Sequence, residues 1–313
     1  MNIKDAMNGY FLAKRSERVA EGTLVQARYA IERFADHAEG VALADVTLDR
    51  LRAFMVWFAE TPTARGTPPA GSTVQHNFKH LKTFFRWCVN EDLIPADPTD
   101  RLKKPRMDKL IAPCLTERQA LDLLKGIKAR GGPLAGRDYA IFHLFLSTGL
   151  RVAEMASLKR DDVLIEGQVI PVIKVMGKGR KERLIPLLPD ARLELWKYIQ
   201  RHRKPKMAQP SLFLSEHGLP LTDGGMQTMV SKRLLEFVNG TLSKHGPHLL
   251  RHSFATWYVK RGNDIKRLQL IMGHTDISTT DSYIRTLPTD ITHEAAPEDR
   301  HLGLLDWLRK YAE

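Results

Sequence analysis

A short segment near the C-terminal end of this 313-residue chain holds most of its chemically active side chains: His248, Arg251, His274 and Tyr283. His248 and Arg251 are three residues apart, so on a helix they share a face and can reach one anion together. His274 and Tyr283 are separated by Thr275-Asp276-Ile277-Ser278-Thr279-Thr280 and two further residues. That Ser/Thr/Asp run suits a turn and a helix N-cap, after which a second helix could bring the phenol back toward the first. Two imidazoles, a guanidinium and a phenol suit phosphate chemistry. Arg binds phosphate through two parallel hydrogen bonds, His moves protons near neutrality, and a phenolate can attack phosphorus.

His-x-x-Arg at 248 to 251, then Met272-Gly273-His274-Thr275-Asp276-Ile277-Ser278-Thr279-Thr280, then Tyr283 at this spacing, resembles the tyrosine recombinase family of phage integrases and Xer-like enzymes. Two earlier motifs extend the resemblance. Ser147-Thr148-Gly149-Leu150-Arg151-Val152-Ala153-Glu154-Met155 follows the apolar helical run Ala140 to Leu146. Taken alone, Arg151 and Glu154 at i and i+3 would be a surface ion pair of small worth. The whole Thr-Gly-Leu-Arg-x-x-Glu string, however, matches the family's first arginine motif. Met176-Gly177-Lys178-Gly179-Arg180-Lys181-Glu182 would alone be an ordinary basic hairpin with Lys178 at its tip. It lacks the spacing of a nucleotide-binding phosphate loop, and with Arg183 it matches the family's hairpin lysine motif.

The resemblance implies an enzyme that cleaves and rejoins DNA through a 3′-phosphotyrosine, leaving a free 5′-hydroxyl, with no metal, ATP or other cofactor. Tyr283 would be the nucleophile, and Arg151 and Arg251 would clamp the phosphate. Lys178 would protonate the departing oxygen, His248 would move the nucleophile's proton, and His274 would hydrogen-bond a phosphate oxygen. Glu154 would support Arg151. The partners implied are double-stranded DNA recombination sites and further copies of the chain, assembled as a tetramer on two duplexes. A partner recombinase or accessory protein is compatible with this scheme.

The elements that must carry these residues are legible in outline. From residue 1 to about 95 the apolar spacing is helical, as at Ala27, Ala30, Ile31 and Phe34, and again at Leu81, Phe84, Phe85 and Cys88. Breaks at Glu21-Gly22-Thr23, Glu39-Gly40 and the Pro/Gly-dense stretch 61–72 divide it into about four helices. Lys79, His80, Lys82 and Arg86 decorate the last, where a solvated face and a set of phosphate contacts would look alike. Lys79, Lys82 and Arg86, with Arg180 and Lys181 on the hairpin, are the candidate DNA contacts.

Residues 96–112 are basic and proline-marked and are expected to be a linker. Thr116-Glu117-Arg118-Gln119 then offers a capping signal for a new domain. Val163 to Ile165, Val169 to Val175 and Arg183 to Leu187 are β-branched-rich runs that predict three antiparallel strands. Ala191 to Arg201 and Gly225 to Asn239 predict scaffold helices, and Phe254, Trp257 and Tyr258 predict a core face.

The fold class expected is therefore two domains. An all-α N-terminal helical bundle over 1–95, SAM-like and core-binding in the family, precedes a mainly helical α+β catalytic domain over 113–285 with a small three-stranded antiparallel sheet. The tail 286–313 carries Leu304, Leu305, Leu308 and Tyr311 at helical spacing beside Trp307. This helix would dock either on its own domain or on a neighbouring protomer.

Composition sets the outer limits. Lys and Arg outnumber Asp and Glu 48 to 36, a net charge of +12 spread along the chain, which suits an anionic partner without choosing DNA. No apolar run approaches a membrane span, and the start Met-Asn-Ile-Lys-Asp has no signal-peptide core, so the cytoplasm is expected, in association with the nucleoid. With only Cys88 and Cys114, neither a disulfide framework nor a cysteine zinc site is expected. His245, His248 and His252 have spacing that could share a zinc ion, but no further ligand type accompanies them, so no metal is expected. Two other functions fit much of this pattern. One is a type IB topoisomerase acting as a monomer, and the other a DNA-binding architectural protein that has lost the chemistry.

Overall fold

The computed structural model describes residues 1–64, 66–106, 113–164, 171–177, 181–205, 208–238, 245–273 and 303–310. The chain divides into two compact units, Met1–Leu110 and Ile111–Glu313.

The first unit is a helical bundle of α1 (Ile3–Ser16), α2 (Glu21–His37), α3 (Leu48–Glu60) and α4 (Gly71–Asn90). Two of the starts are fixed by side-chain caps: Asn2 accepts from the Asp5 amide at 2.8 Å and Thr47 from the Arg50 amide at 3.3 Å. Each helix turns one apolar stripe inward, and the centre is aromatic. Phe34 meets Phe54 and Phe85 edge-on at 5.2 and 5.7 Å between centroids, and Tyr10 meets Phe84 at 5.6 Å. The opposite face of α4 carries Lys79 and Arg86, both exposed, and half-buried Lys82, which at i, i+3 and i+7 form one stripe. Residues 91–106, beyond α4, stay on this unit. Ile94 and Leu102 are buried in the same core, and Gln75 Nε2 donates to the Pro105 carbonyl at 2.7 Å. Residues 96–106, expected to be linker, therefore pack here, with the cations of Lys103, Lys104 and Arg106 in solvent.

The second unit is built around α6 (Ala135–Thr148), which is buried on all sides from Arg137 to Thr148. Helices α5 (Glu117–Arg130), α8 (Pro189–Lys197) and α10 (Pro247–Lys260) pack against it. Helix α5 opens on the expected capping box, in which Thr116 Oγ1 accepts from the Gln119 amide and Gln119 Oε1 accepts from the Thr116 amide. Helix α9 (Asp223–Phe237) packs against α5 and the short α7 (Val152–Ser157).

The three expected strands form one antiparallel sheet in the order β1 (Val163–Leu164), β2 (Val172–Met176), β3 (Glu182–Pro186). Ile173, Val175 and Ile185 face the core, while Met176 and Leu184 face out. Arg183 pairs with Val175 and, two residues before Ile185, shares the inward face.

Helix α11 (Ile265–Met272) goes beyond what periodicity predicts. Asp264 caps it by accepting from the Lys266 amide at 3.1 Å, and it buries Leu268, Ile271 and Met272. The tail helix α12 (Leu304–Lys310) lies on its own unit. Trp307 packs against Trp257 at 6.0 Å with the Arg261 guanidinium 4.3 Å from its ring centroid, and Asp190 Oδ2 accepts from the Leu305 amide at 2.8 Å. Among the described residues no helix is long and apolar enough to cross a membrane.

Candidate active site

Helix α6 stops at Gly149, whose backbone is left-handed at φ 61° and ψ 26°. A Cβ there would run into the Phe254 ring and lie 2.9 Å from Met272 Sδ, so only glycine lets α10 and α11 close on this corner. Two residues later Arg151 is extended and becomes the N-cap of α7, with Glu154 in that helix's first turn. The Glu154 carboxylate reaches back to accept from the Arg151 amide at 2.9 Å and from Arg151 Nη1 at 3.0 Å.

Glu154 has a second partner that the sequence did not disclose. Arg183, on β3, donates Nη1 to Oε1 at 3.0 Å and Nη2 to Oε2 at 2.9 Å, a two-pronged pair in which both side chains are largely buried. Burial of Glu154 works against its ionisation. The hydrogen bonds from Arg183, then the Arg151 amide and the two guanidinium charges, outweigh that and hold the carboxyl below its ordinary value.

The same arginines converge on the C-terminal end of α11. Arg183 Nε donates to the Ile271 carbonyl at 2.9 Å. Arg151 Nη1 and Arg251 Nη2 both donate to the Met272 carbonyl, at 3.2 and 2.8 Å, and Arg151 Nη2 donates to Gly273 at 3.2 Å. Arg251, only 5% exposed, also donates to the Gly149 carbonyl through Nη1. A helix ends on carbonyls without intrahelical partners and a partial negative charge, and guanidinium groups satisfy both. The result is three cations ordered in one place, held by backbone oxygens and one carboxylate. The Arg151 side chain remains 39% exposed and open to an incoming anion.

His248 stands on the first turn of α10, next to Pro247 and one turn before Arg251, and reaches solvent. Its imidazole is pushed below its ordinary value by partial burial first, then by the charges of Arg251 and Arg151. The direction means a neutral ring at pH 7, able to accept a proton. Screening by solvent tempers the effect of the two charges, but their sign is set by geometry.

The structure thus brings together Arg151, Glu154, His248 and Arg251 from the predicted set and adds Arg183. Lys178, Arg180, His274 and Tyr283 lie outside the described residues. Lys181 is exposed at the foot of the hairpin, where its carbonyl accepts from the Gly177 amide at 2.8 Å. Lys79, Lys82 and Arg86 belong to the other unit. Trp257 and Phe254 are core, as expected. Among the described residues no group of three or more His, Cys, Asp or Glu side chains is placed to hold a metal ion, and that includes His245, His248 and His252.

Residues 113–289 match the phage integrase family, and residues 6–104 match the phage integrase SAM-like domain. The chain belongs to the phage integrase family of tyrosine recombinases. Membership makes it a site-specific recombinase by enzyme class. Among its relatives, the tyrosine recombinase XerC of Bacillus licheniformis is 33% identical over 258 residues, spanning 80% of this chain and 81% of that one. XerC of Roseiflexus castenholzii is 31% identical over 89% of this chain and 86% of its own. Among solved structures, the Tn1549 transposon integrase in complex with transposon right end DNA is similar with a TM-score of 0.76 at 20% identity, covering 96% of this chain and 98% of that one. The XerH site-specific recombinase bound to difH substrate gives a TM-score of 0.66 at 20% identity, over 88% of this chain and 79% of its own. These likenesses establish the two-part integrase fold, with the SAM-like bundle ahead of the mainly helical catalytic domain.

Proposed function

We propose that this recombinase binds double-stranded DNA sites and exchanges strands between them through a covalent 3′-phosphotyrosine on Tyr283, without metal or ATP. The observation that carries the reading is the meeting of Arg151 and Arg251 on one acceptor, with His248 one turn before Arg251, in a chain that places His274 two residues and Tyr283 eleven residues after that acceptor. Two guanidinium groups fixed at that separation bind the non-bridging oxygens of a phosphate and stabilise the charge that grows as phosphorus becomes five-coordinate. They supply the electrostatic work that a divalent cation does in other phosphoryl-transfer enzymes.

The steps follow from the residues. Tyr283 Oη attacks phosphorus as His248 takes the phenolic proton, for a phenol of pKa about 10 is scarcely ionised at neutrality. The bond to the 5′ oxygen breaks, and Lys178 gives that oxygen a proton. His274 hydrogen-bonds the phosphate, and Glu154 holds Arg151 in register. Attack by the 5′-hydroxyl of a second duplex reverses each transfer and joins the strands in exchanged order. The bond energy stays in the tyrosyl phosphate, so no nucleotide is consumed. Four protomers on two duplexes provide the four cleavages an exchange needs, and the basic stripe of Lys79, Lys82 and Arg86 on α4 is the proposed backbone contact of the SAM-like domain.

Two differently labelled duplexes from the native locus, incubated with the protein in a chelator and without ATP, test this reading. Chimeric strands carrying both labels are the expected product. Relaxation of a supercoiled plasmid lacking that site, with no chimeras, would instead indicate a topoisomerase.

A further inference from the structure

The geometry points to Arg183 as the positioning residue that locks the hairpin strand, the Arg151–Glu154 corner and the end of α11 into one catalytic arrangement. The inference rests on the recombinase reading above and adds to it a residue with no expected role.

Arg183 occupies a strand position facing inward beside Ile185, where an aliphatic side chain would be the ordinary choice. A guanidinium there is stable only if its charge and donors are met, and each is met by a different part of the site. The Nη1 and Nη2 edge grips both oxygens of Glu154, the carboxylate that in turn holds Arg151. The Nε edge holds the Ile271 carbonyl, two residues before Gly273. The plane of the group lies against Gly273 itself, where an added Cβ would be 3.1 Å from Nη1 and where the backbone is already left-handed at φ 62°.

On its own strand, Arg183 follows directly after the hairpin that carries Lys178. One planar side chain thus ties three sequence segments, each contributing at least one residue of the proposed chemistry. Arg183 touches no substrate in this scheme and acts through Glu154, Arg151 and the backbone before His274. A lysine retains the charge but has neither the two-pronged grip nor the Nε donor, so the position demands arginine and not merely a cation.

The test compares wild type with Arg183→Lys and with the double variant Arg183→Met/Glu154→Gln, which removes both charges of the buried Arg183–Glu154 pair together. Folding is followed by circular dichroism, binding to a nicked native-locus duplex by titration, and formation of the covalent adduct by single-turnover kinetics at saturating protein. The expected result is folded proteins that bind the duplex as wild type does but form the adduct about 100-fold more slowly, in keeping with the loss caused by small misplacements of catalytic groups. Arg183→Lys should not recover the rate. Wild-type rates in both variants would overturn the inference, as would full recovery by lysine. So would a loss of rate that merely tracks a loss of folding or binding. Should wild type itself form no adduct, the recombinase chemistry fails and not the role of Arg183 alone.

Discussion

Arg151 and Arg251 come from different helices far apart in the sequence, yet they donate to the same oxygen, the Met272 carbonyl, at 3.2 and 2.8 Å. Two guanidinium groups would repel if left unshared. Here the negative end of α11 and the Glu154 carboxylate lie among them and make their approach stable before any phosphate arrives. Pre-organisation of this kind is what lets fixed charges act on a transition state without reorganising during the reaction.

Substitution of Arg251 by Lys should therefore be severe. A lysine ammonium can meet the Gly149 carbonyl or the Met272 carbonyl but cannot span both in the plane that Arg251 occupies. Single-turnover cleavage of a nicked duplex should fall about 100- to 1,000-fold, the usual cost of removing one oxyanion donor.

His248 should titrate below the ordinary histidine value of about 6.5, because partial burial and then Arg251 and Arg151 disfavour its charged form. Its ring resonances, followed by NMR across pH 5 to 8 on the order of the usual histidine range, should report that shift. Arg251→Gln should move the midpoint upward, since it removes one of the opposing charges. An unmoved midpoint would mean that the Arg251 charge does not contribute to the shift.

Gly149→Ala should destabilise the protein by about 2 kcal/mol or more, from the left-handed backbone and from overpacking. The new methyl group would press on Phe254 and Met272, so α11 and the carbonyl shared by the two arginines should shift with it. Thermal unfolding measures the first effect, and cleavage kinetics on the folded fraction measure the second.

His143 is fully buried on α6, with neither ring nitrogen hydrogen-bonded among the described residues. Burial lowers its pKa despite the Asp190 and Glu194 carboxylates, which favour the charged ring, while Lys128 and Lys197 add to the lowering. The Tyr139 ring packs edge-on against it at 4.7 Å. A group whose folded value is lowered costs stability below its unfolded value, because only the unfolded chain takes up the proton. Stability should therefore fall as pH drops below about 6.5. His143→Leu should flatten part of that slope while leaving stability near pH 8 unchanged or higher.

How much of this was legible in the sequence depends on the range of the interaction. Arg151 with Glu154 and His248 with Arg251 are neighbours on single helical turns, and a capping box at Thr116 depends on four consecutive residues, so spacing alone was enough. The partnership of Glu154 with Arg183 crosses from a helix to a strand, and strand periodicity says only which way a residue points. The sequence signals at Arg183 were its place at the end of the hairpin lysine motif and a cation at an inward position of β3, which calls for a buried partner without naming it. The acceptors on α11 are backbone carbonyls, invisible to any reading of side-chain types. Leu102 was unreadable for a related reason: it is one apolar residue in a polar, proline-marked stretch, and only tertiary packing shows that it belongs to the core of the SAM-like bundle. The tail around Trp307 was readable as an amphipathic helix, but which body it docks on is decided by packing beside Trp257.

Covalent catalysis by Tyr283 is measured by incubating wild type and Tyr283→Phe with a nicked duplex from the native locus and then denaturing the mixture. Wild type should leave a protein–DNA adduct joined at a 3′ phosphate, and Tyr283→Phe should leave none while binding the same duplex. An equal adduct from both proteins, or none from a wild type that binds tightly, would rule out Tyr283 as the nucleophile.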